Sequence, residues 1–87
     1  MKTFAVQRTL TGITMDQLAG AQKAAISTSA EFTRKGTSVR YIRSNFYPGD
    51  SHCTCLFEAG SAEAVRKVNE AAKLPFDRID EVLDLNP

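Results

Sequence analysis

Charge of one sign is the first thing this sequence lacks. Eleven Lys and Arg stand against ten Asp and Glu, a formal net charge of +1. A nucleic-acid partner calls for a clustered basic excess, and none is present, so no nucleic-acid partner is expected. The adjacent pair Arg34-Lys35 falls where a helix is expected to end, and cations suit that end of its dipole. Long hydrophobic runs are also missing. No apolar stretch approaches the roughly 20 residues of a membrane span, and the amphipathic segments read as core-packing helices, not membrane surfaces. The opening residues MKTFAVQRTL are too short and too polar for a signal peptide. Cysteine is confined to Cys53 and Cys55. At i and i+2 of a strand both face one way, with Cα atoms too far apart for comfortable bridging. A reduced, cytoplasmic protein is expected.

What is there fits one small domain over residues 1–87. Hydrophobic residues make up 43% and charged residues 24%, an ordinary globular composition. Residues 2–9 alternate, with Phe4 and Val6 on one side and Thr3, Ala5 and Gln7 on the other, as a first strand. Thr14 and Gln17 form a capping box, with Ile13 and Leu18 placed as a hydrophobic staple and Asp16 in the first turn. The helix they open runs from about 15 to 34 on a thin stripe of Leu18, Ala21, Ala25 and Phe32, with Ile26 alongside. Ser27-Thr28-Ser29 invite a bend or break in its middle, and Gly36 stops it.

Two strands, about 39–47 and 52–58, surround Pro48-Gly49-Asp50 as a hairpin. Ser61 caps a shorter helix that buries Ala64, Val65, Val68 and Ala72 and ends at Lys73-Leu74-Pro75. Residues 79–85 form a fourth strand, with Val82 and Leu83 as its core positions. The order is β-α-β-β-α-β. Right-handed crossovers fold it into a ferredoxin-like α+β sandwich, a four-stranded antiparallel sheet with two helices on one face.

Hairpin alternation sorts the side chains. With Gly49-Asp50 as the loop, Tyr47 pairs with His52, Asn45 with Thr54, Arg43 with Leu56 and Tyr41 with Glu58. Phe46, Cys53, Ser44, Cys55, Ile42 and Phe57 then lie under the helices. The open face carries Tyr41, Arg43, Asn45, Tyr47, His52, Thr54, Leu56 and Glu58. A bulge would alter the pairing, while alternation within each strand is expected to survive. Aromatics with arginine on such a face favour an interface or a ligand cavity, and a homodimer joined through the sheets is expected.

This topology hosts many functions, so the residues must decide. The glycine-aromatic octamer of RNA-recognition modules is missing. The loop Leu10-Thr11-Gly12-Ile13-Thr14 holds neither the CxxC of copper chaperones nor the arginine cradle of acylphosphatases. No phosphate loop or dinucleotide fingerprint occurs. Cys53 and Cys55 suit a soft metal, but alternation turns His52 away from them, and two small core residues is the plainer reading. His52, the single histidine, is a general base, a metal ligand or an exposed residue beside a turn. Glu58 is a salt-bridge partner for Arg43 or Arg8, a helix-dipole partner near Ser61, or a catalytic carboxylate. Arg43 in mid-strand asks for an anion. Arg8 and Arg40 read as surface residues.

Several segments together resemble a known family. They are Phe4-Ala5-Val6-Gln7-Arg8, Gly12-Ile13-Thr14, Val39-Arg40-Tyr41-Ile42-Arg43-Ser44 and Cys55-Leu56-Phe57-Glu58-Ala59. Ala62-Glu63-Ala64-Val65-Arg66 and Ala71-Ala72-Lys73-Leu74-Pro75-Phe76-Asp77-Arg78-Ile79 follow in order. The resemblance is to small bacterial proteins long catalogued as a domain of unknown function, one branch of which is described as nickel-binding. It implies a ferredoxin-like fold, assembly as a dimeric α/β barrel, a cytoplasmic location and no established enzyme activity. The nickel-binding branch uses histidines near the second strand and within the second helix, and Arg43 and Asn69 stand at or near those places. Arginine cannot coordinate a cation and an asparagine amide is a weaker donor than imidazole, so no metal ligand is carried over. Nickel is the cofactor that the resemblance alone suggests.

The leading expectation is a binding protein for a small ligand or metal ion on the open face. Arg43 would contact an anion, Tyr41 and Tyr47 would form walls, and His52 and Glu58 would supply polar contacts. The alternatives are a small enzyme using His52 or Glu58 on an organic substrate, and a protein that only self-associates.

Overall fold

The computed structural model describes residues 1–87, with elements β1 (Lys2–Thr9), α1 (Met15–Arg34), β2 (Val39–Tyr47), β3 (His52–Ala59), α2 (Ala62–Ala71) and β4 (Arg78–Val82). The strands form one antiparallel sheet in the order β2-β3-β1-β4. This is the ferredoxin-like arrangement that the element order predicts. The core lies between one sheet face and the helices, where Phe4, Val6, Cys53, Cys55 and Phe57 meet Ala25, Val65 and Val68. No helix is long and apolar enough to cross a membrane.

The sheet is open, which corrects the barrel that the family resemblance implies. β2 and β4 are its two free edges. Closing a sheet with a side-chain-filled interior takes about eight strands, and four twisted strands do not meet.

Local signals set the helices. Thr14 Oγ1 accepts from Gln17 N at 3.1 Å while Gln17 Oε1 accepts from Thr14 N at 2.9 Å, completing the capping box. Gly36, at φ 103°, ends α1, and the Thr37 amide returns to the Phe32 carbonyl at 2.9 Å. The Ser-Thr-Ser segment does not break the helix, which is continuous over 20 residues. Ser29 is buried there with its Oγ unpaired, and Ile26, expected beside the stripe, is about half exposed.

The hairpin keeps the expected pairing Tyr47↔His52, Asn45↔Thr54 and Arg43↔Leu56. A bulge then intervenes between Tyr41 and Arg43, so Tyr41 pairs with Phe57 and Arg40 with Glu58. The bulge breaks alternation within β2, contrary to expectation, because it leaves one residue unpaired. Tyr41 therefore moves from the open face to the helix face, where its ring meets Phe57 edge-on at 5.5 Å. Ile42 makes the opposite move and lies with Arg40 and Glu58 around a shallow depression. β4 also ends early. Its last pair with β1 is Thr3↔Val82, β1 itself begins at Lys2, and Leu83, expected in the core, is 84% exposed.

Candidate functional site

A cavity of about 400 Å³ opens between α1, the helix face of the hairpin and the loop after α2. Its roof includes Leu18, Ala21 and Ala25, and Leu74 and Pro75 close one side. The space follows from the thin α1 stripe: alanine cannot fill the gap that leucine would. Twelve of its sixteen lining residues are hydrophobic, so the few polar ones stand out.

Those polar groups converge on one sulfur. Ser44 Oγ donates to Cys55 Sγ at 3.0 Å, and Arg8 Nε donates to it at 3.4 Å. Cys53 Sγ lies 3.9 Å away on the same side of β3. Since Ser44 gives its proton to Cys55, Tyr41 Oη donates to Ser44 Oγ at 2.6 Å, and Gln22 Nε2 donates in turn to Tyr41 Oη at 3.0 Å. The bulge that withdraws Tyr41 from the open face thus places it in this chain of donors.

Arg8 is the surprise of the core, only 4% exposed. Its Nη2 donates to Asn69 Oδ1 at 2.7 Å and its Nη1 to the Pro75 carbonyl at 3.1 Å. Asn69 is fully buried and is itself fixed by donating from Nδ2 to the Val65 carbonyl at 2.8 Å. No carboxylate forms an ion pair with Arg8. A buried guanidinium needs an anion, and Cys55 Sγ is the group in reach that can become one. The Cys53 hydrogen bond, Arg8 and Ser44 together lower the Cys55 pKa from 9.0 to about 5, against the opposing effect of burial. Cys53 moves the other way, raised by its hydrogen bond to Cys55 and by burial, and keeps its proton. The two shifts favour the proton on Cys53 and negative charge on Cys55, facing Arg8.

The residues expected on the open face are not gathered at one point. Arg43 Nη2 meets Asp84 Oδ1 at 3.2 Å. Arg40, not Arg43 or Arg8, pairs with Glu58 at 2.9 Å, because the bulge brings it opposite. His52 Nε2 contacts Thr54 Oγ1 at 3.1 Å, and the Tyr47 ring lies 5.4 Å from the imidazole. His52 and Glu58 sit at opposite ends of β3, about 20 Å apart along an extended strand. No three His, Cys, Asp or Glu side chains are grouped to hold a metal ion. Sequence reasoning missed Arg8, Ser44 and Asn69 as parts of a site. For Arg8 the signal was present: the alternation that faces Phe4 and Val6 inward carries Arg8 with them.

The family described as "Nickel responsive protein SCO4226-like" matches residues 4–82, nearly the whole chain. The chain belongs to the SCO4226-like family. Among solved structures, the crystal structure of SCO4226 from Streptomyces coelicolor A3(2) is similar at 32% sequence identity and a TM-score of 0.81. That likeness covers 95% of this chain and 99% of the other. A comparison with curated proteins found no match. As a member of the SCO4226-like family, the chain shares the ferredoxin-like fold, and the Arg8–Cys55 contact and the cavity lie inside the matched region.

Proposed function

We propose that this SCO4226-like protein binds a small, largely apolar organic molecule in the cavity beneath α1, with the Arg8–Cys55 pair as its polar anchor. The observation that carries this reading is a buried, fully positioned guanidinium on a cysteine sulfur at the wall of a cavity of about 400 Å³. Cavities of this size, mostly apolar with a few convergent polar groups, are typical small-molecule sites. Titration with cyclohexanone, followed by amide chemical shifts, tests it. Shifts should concentrate in α1, β3 and the loop after α2, and Ala21→Leu should abolish them while leaving the fold intact. Shifts scattered over the surface, or unaffected by Ala21→Leu, would refute the reading.

The family description raises nickel for this chain. Thiolates suit that metal, and Cys53 and Cys55 offer two sulfurs 3.9 Å apart. The surrounding residues do not fit a resident ion. No third ionisable donor joins the pair, and the Arg8 guanidinium stands against Cys55 where it repels a cation. No step is assigned to nickel.

The open sheet face is proposed as the contact with a second copy of the chain. An isologous interface needs a self-complementary surface. This face carries both signs, with Arg40 and Arg43 beside Glu58 and Asp84, and the exposed Leu83 lies next to them. Sedimentation should show a dimer that Arg43→Glu with Leu83→Ser dissociates, and a wild-type monomer would refute the assignment. Both cysteines are free, and the site works only with reduced sulfur, so a reducing compartment such as the cytoplasm is the proposed location.

A further inference from the structure

The geometry points to a covalent role for the anchor: we propose that Cys55 is a nucleophile that captures α,β-unsaturated carbonyl compounds small enough to enter the cavity beneath α1. This rests on the proposed ligand-binding reading of that cavity and deepens it by naming the ligand's chemical class.

Three features of the site support it. First, charge balance: Arg8 is buried without a carboxylate, and the group its Nε touches at 3.4 Å is Cys55 Sγ, so the neutral arrangement is guanidinium with thiolate. Thiolates, not thiols, are the nucleophilic form. Second, access: Cys55 and Arg8 both line the cavity, and the apolar roof suits the carbon body of an enone. Third, spare donors: three of the five N–H groups of a guanidinium are engaged, by Cys55, Pro75 and Asn69, leaving two for a carbonyl oxygen.

The step balances without an oxidant or cofactor. The Cys55 sulfur lone pair forms a C–S bond to the β-carbon as the C=C π pair moves onto the carbonyl oxygen as an enolate. Arg8 faces that negative charge. The Cys53 thiol, 3.9 Å from Cys55 Sγ, gives its proton to the α-carbon. Cys53 is left as the thiolate beside Arg8 and takes a proton from water. The product is a saturated ketone bound through sulfur. An internal Cys53–Cys55 disulfide is the less suitable outcome for this pair, since i and i+2 on one strand stand about 6.7 Å apart at Cα, at the upper edge of the disulfide range.

The test is incubation of the whole protein with 2-cyclohexen-1-one, followed by intact mass and peptide mapping over a pH series. One enone is expected per chain, on Cys55, with a rate nearly flat between about pH 6 and 8, where an ordinary thiol gains about tenfold per pH unit. Ser44→Ala and Arg8→Gln should each move the rise to higher pH, and cyclohexanone should compete. Absence of a Cys55 adduct, or a wild-type rate that climbs tenfold per unit, would overturn the proposal. If cyclohexanone still binds in that case, only the covalent role fails; if it does not bind, the ligand-binding reading fails with it. The wild-type profile decides even where Arg8→Gln does not fold.

Discussion

The two faces of the sheet arrange their polar side chains in opposite ways. On the open face each charged group has its own partner at the surface: Arg40 with Glu58, Arg43 with Asp84, Arg78 with Asp80. Such pairs are screened by water and independent of one another. On the helix face Arg8, Ser44 and Cys53 all converge on Cys55, and Tyr41, Gln22 and Asn69 stand behind them. Burial of Arg8, Cys53, Cys55 and Asn69 makes the centre of that network interdependent, because removing one of them leaves another unsatisfied in a low dielectric. The comparison explains why His52 and Tyr47 on the open face, which look functional in sequence, are weaker candidates than a serine and an arginine under a helix.

The contrast breaks most visibly at Arg8. Arg8→Met should cost about 3–5 kcal/mol of stability, the usual loss when one member of a buried charge pair is removed. Urea melts would measure it, and a loss like that of a surface arginine would erase the distinction between the faces.

Cys55 should give the next largest effect, read as pH dependence. Folded Cys55 holds its proton only below about pH 5, whereas the ordinary thiol value of 9.0 applies when unfolded. Between those values the unfolded chain binds the extra proton, so stability should rise with pH from about 5 toward 9 and be lost as pH falls through about 5. Above about 9 the raised Cys53 reverses the slope, since the folded chain keeps a proton that the unfolded chain releases. Thermal melts of wild type and Cys55→Ser across this range should differ in slope between pH 5 and 9, and parallel curves would contradict the assignment.

Ser29 sharpens the comparison from the other side. It is a buried hydroxyl left outside the network, so Ser29→Ala should stabilise by about 1 kcal/mol through removal of an unsatisfied group. A destabilised variant would mean that the hydroxyl has a partner. The smallest effect is expected for Arg43→Ala, whose half-exposed pair with Asp84 should contribute less than about 1 kcal/mol. A double-mutant cycle with Asp84→Ala checks it.

The sequence shows most of the fold because the signals are local: a capping box at Thr14, a glycine stop at Gly36 and period-two alternation in β1 and β3. It even hints at the cavity, since an alanine-rich stripe on α1 leaves space over the sheet. What alternation alone misses is the bulge before Arg43. One unpaired residue exchanges Tyr41 and Ile42 between faces and brings Arg40, not Arg43, toward Glu58. The site is less legible than the fold for a further reason. Arg8 looks like a surface residue by type, and only tertiary packing brings Asn69 of α2 and the Pro75 carbonyl to its guanidinium. Facing two cysteines toward the core, in turn, is right for burial but does not reveal that Arg8 and Ser44 both donate to one of the two sulfurs.

The central claim is that the folded protein holds one thiolate, at Cys55, against Arg8. Ultraviolet thiolate absorbance of the native wild-type protein, titrated with acid, measures this directly. One thiolate per chain is expected at neutral pH, disappearing with a midpoint near 5 and absent in Cys55→Ser. Absorbance that appears only as the pH approaches the ordinary thiol range, or that persists in Cys55→Ser, would contradict it.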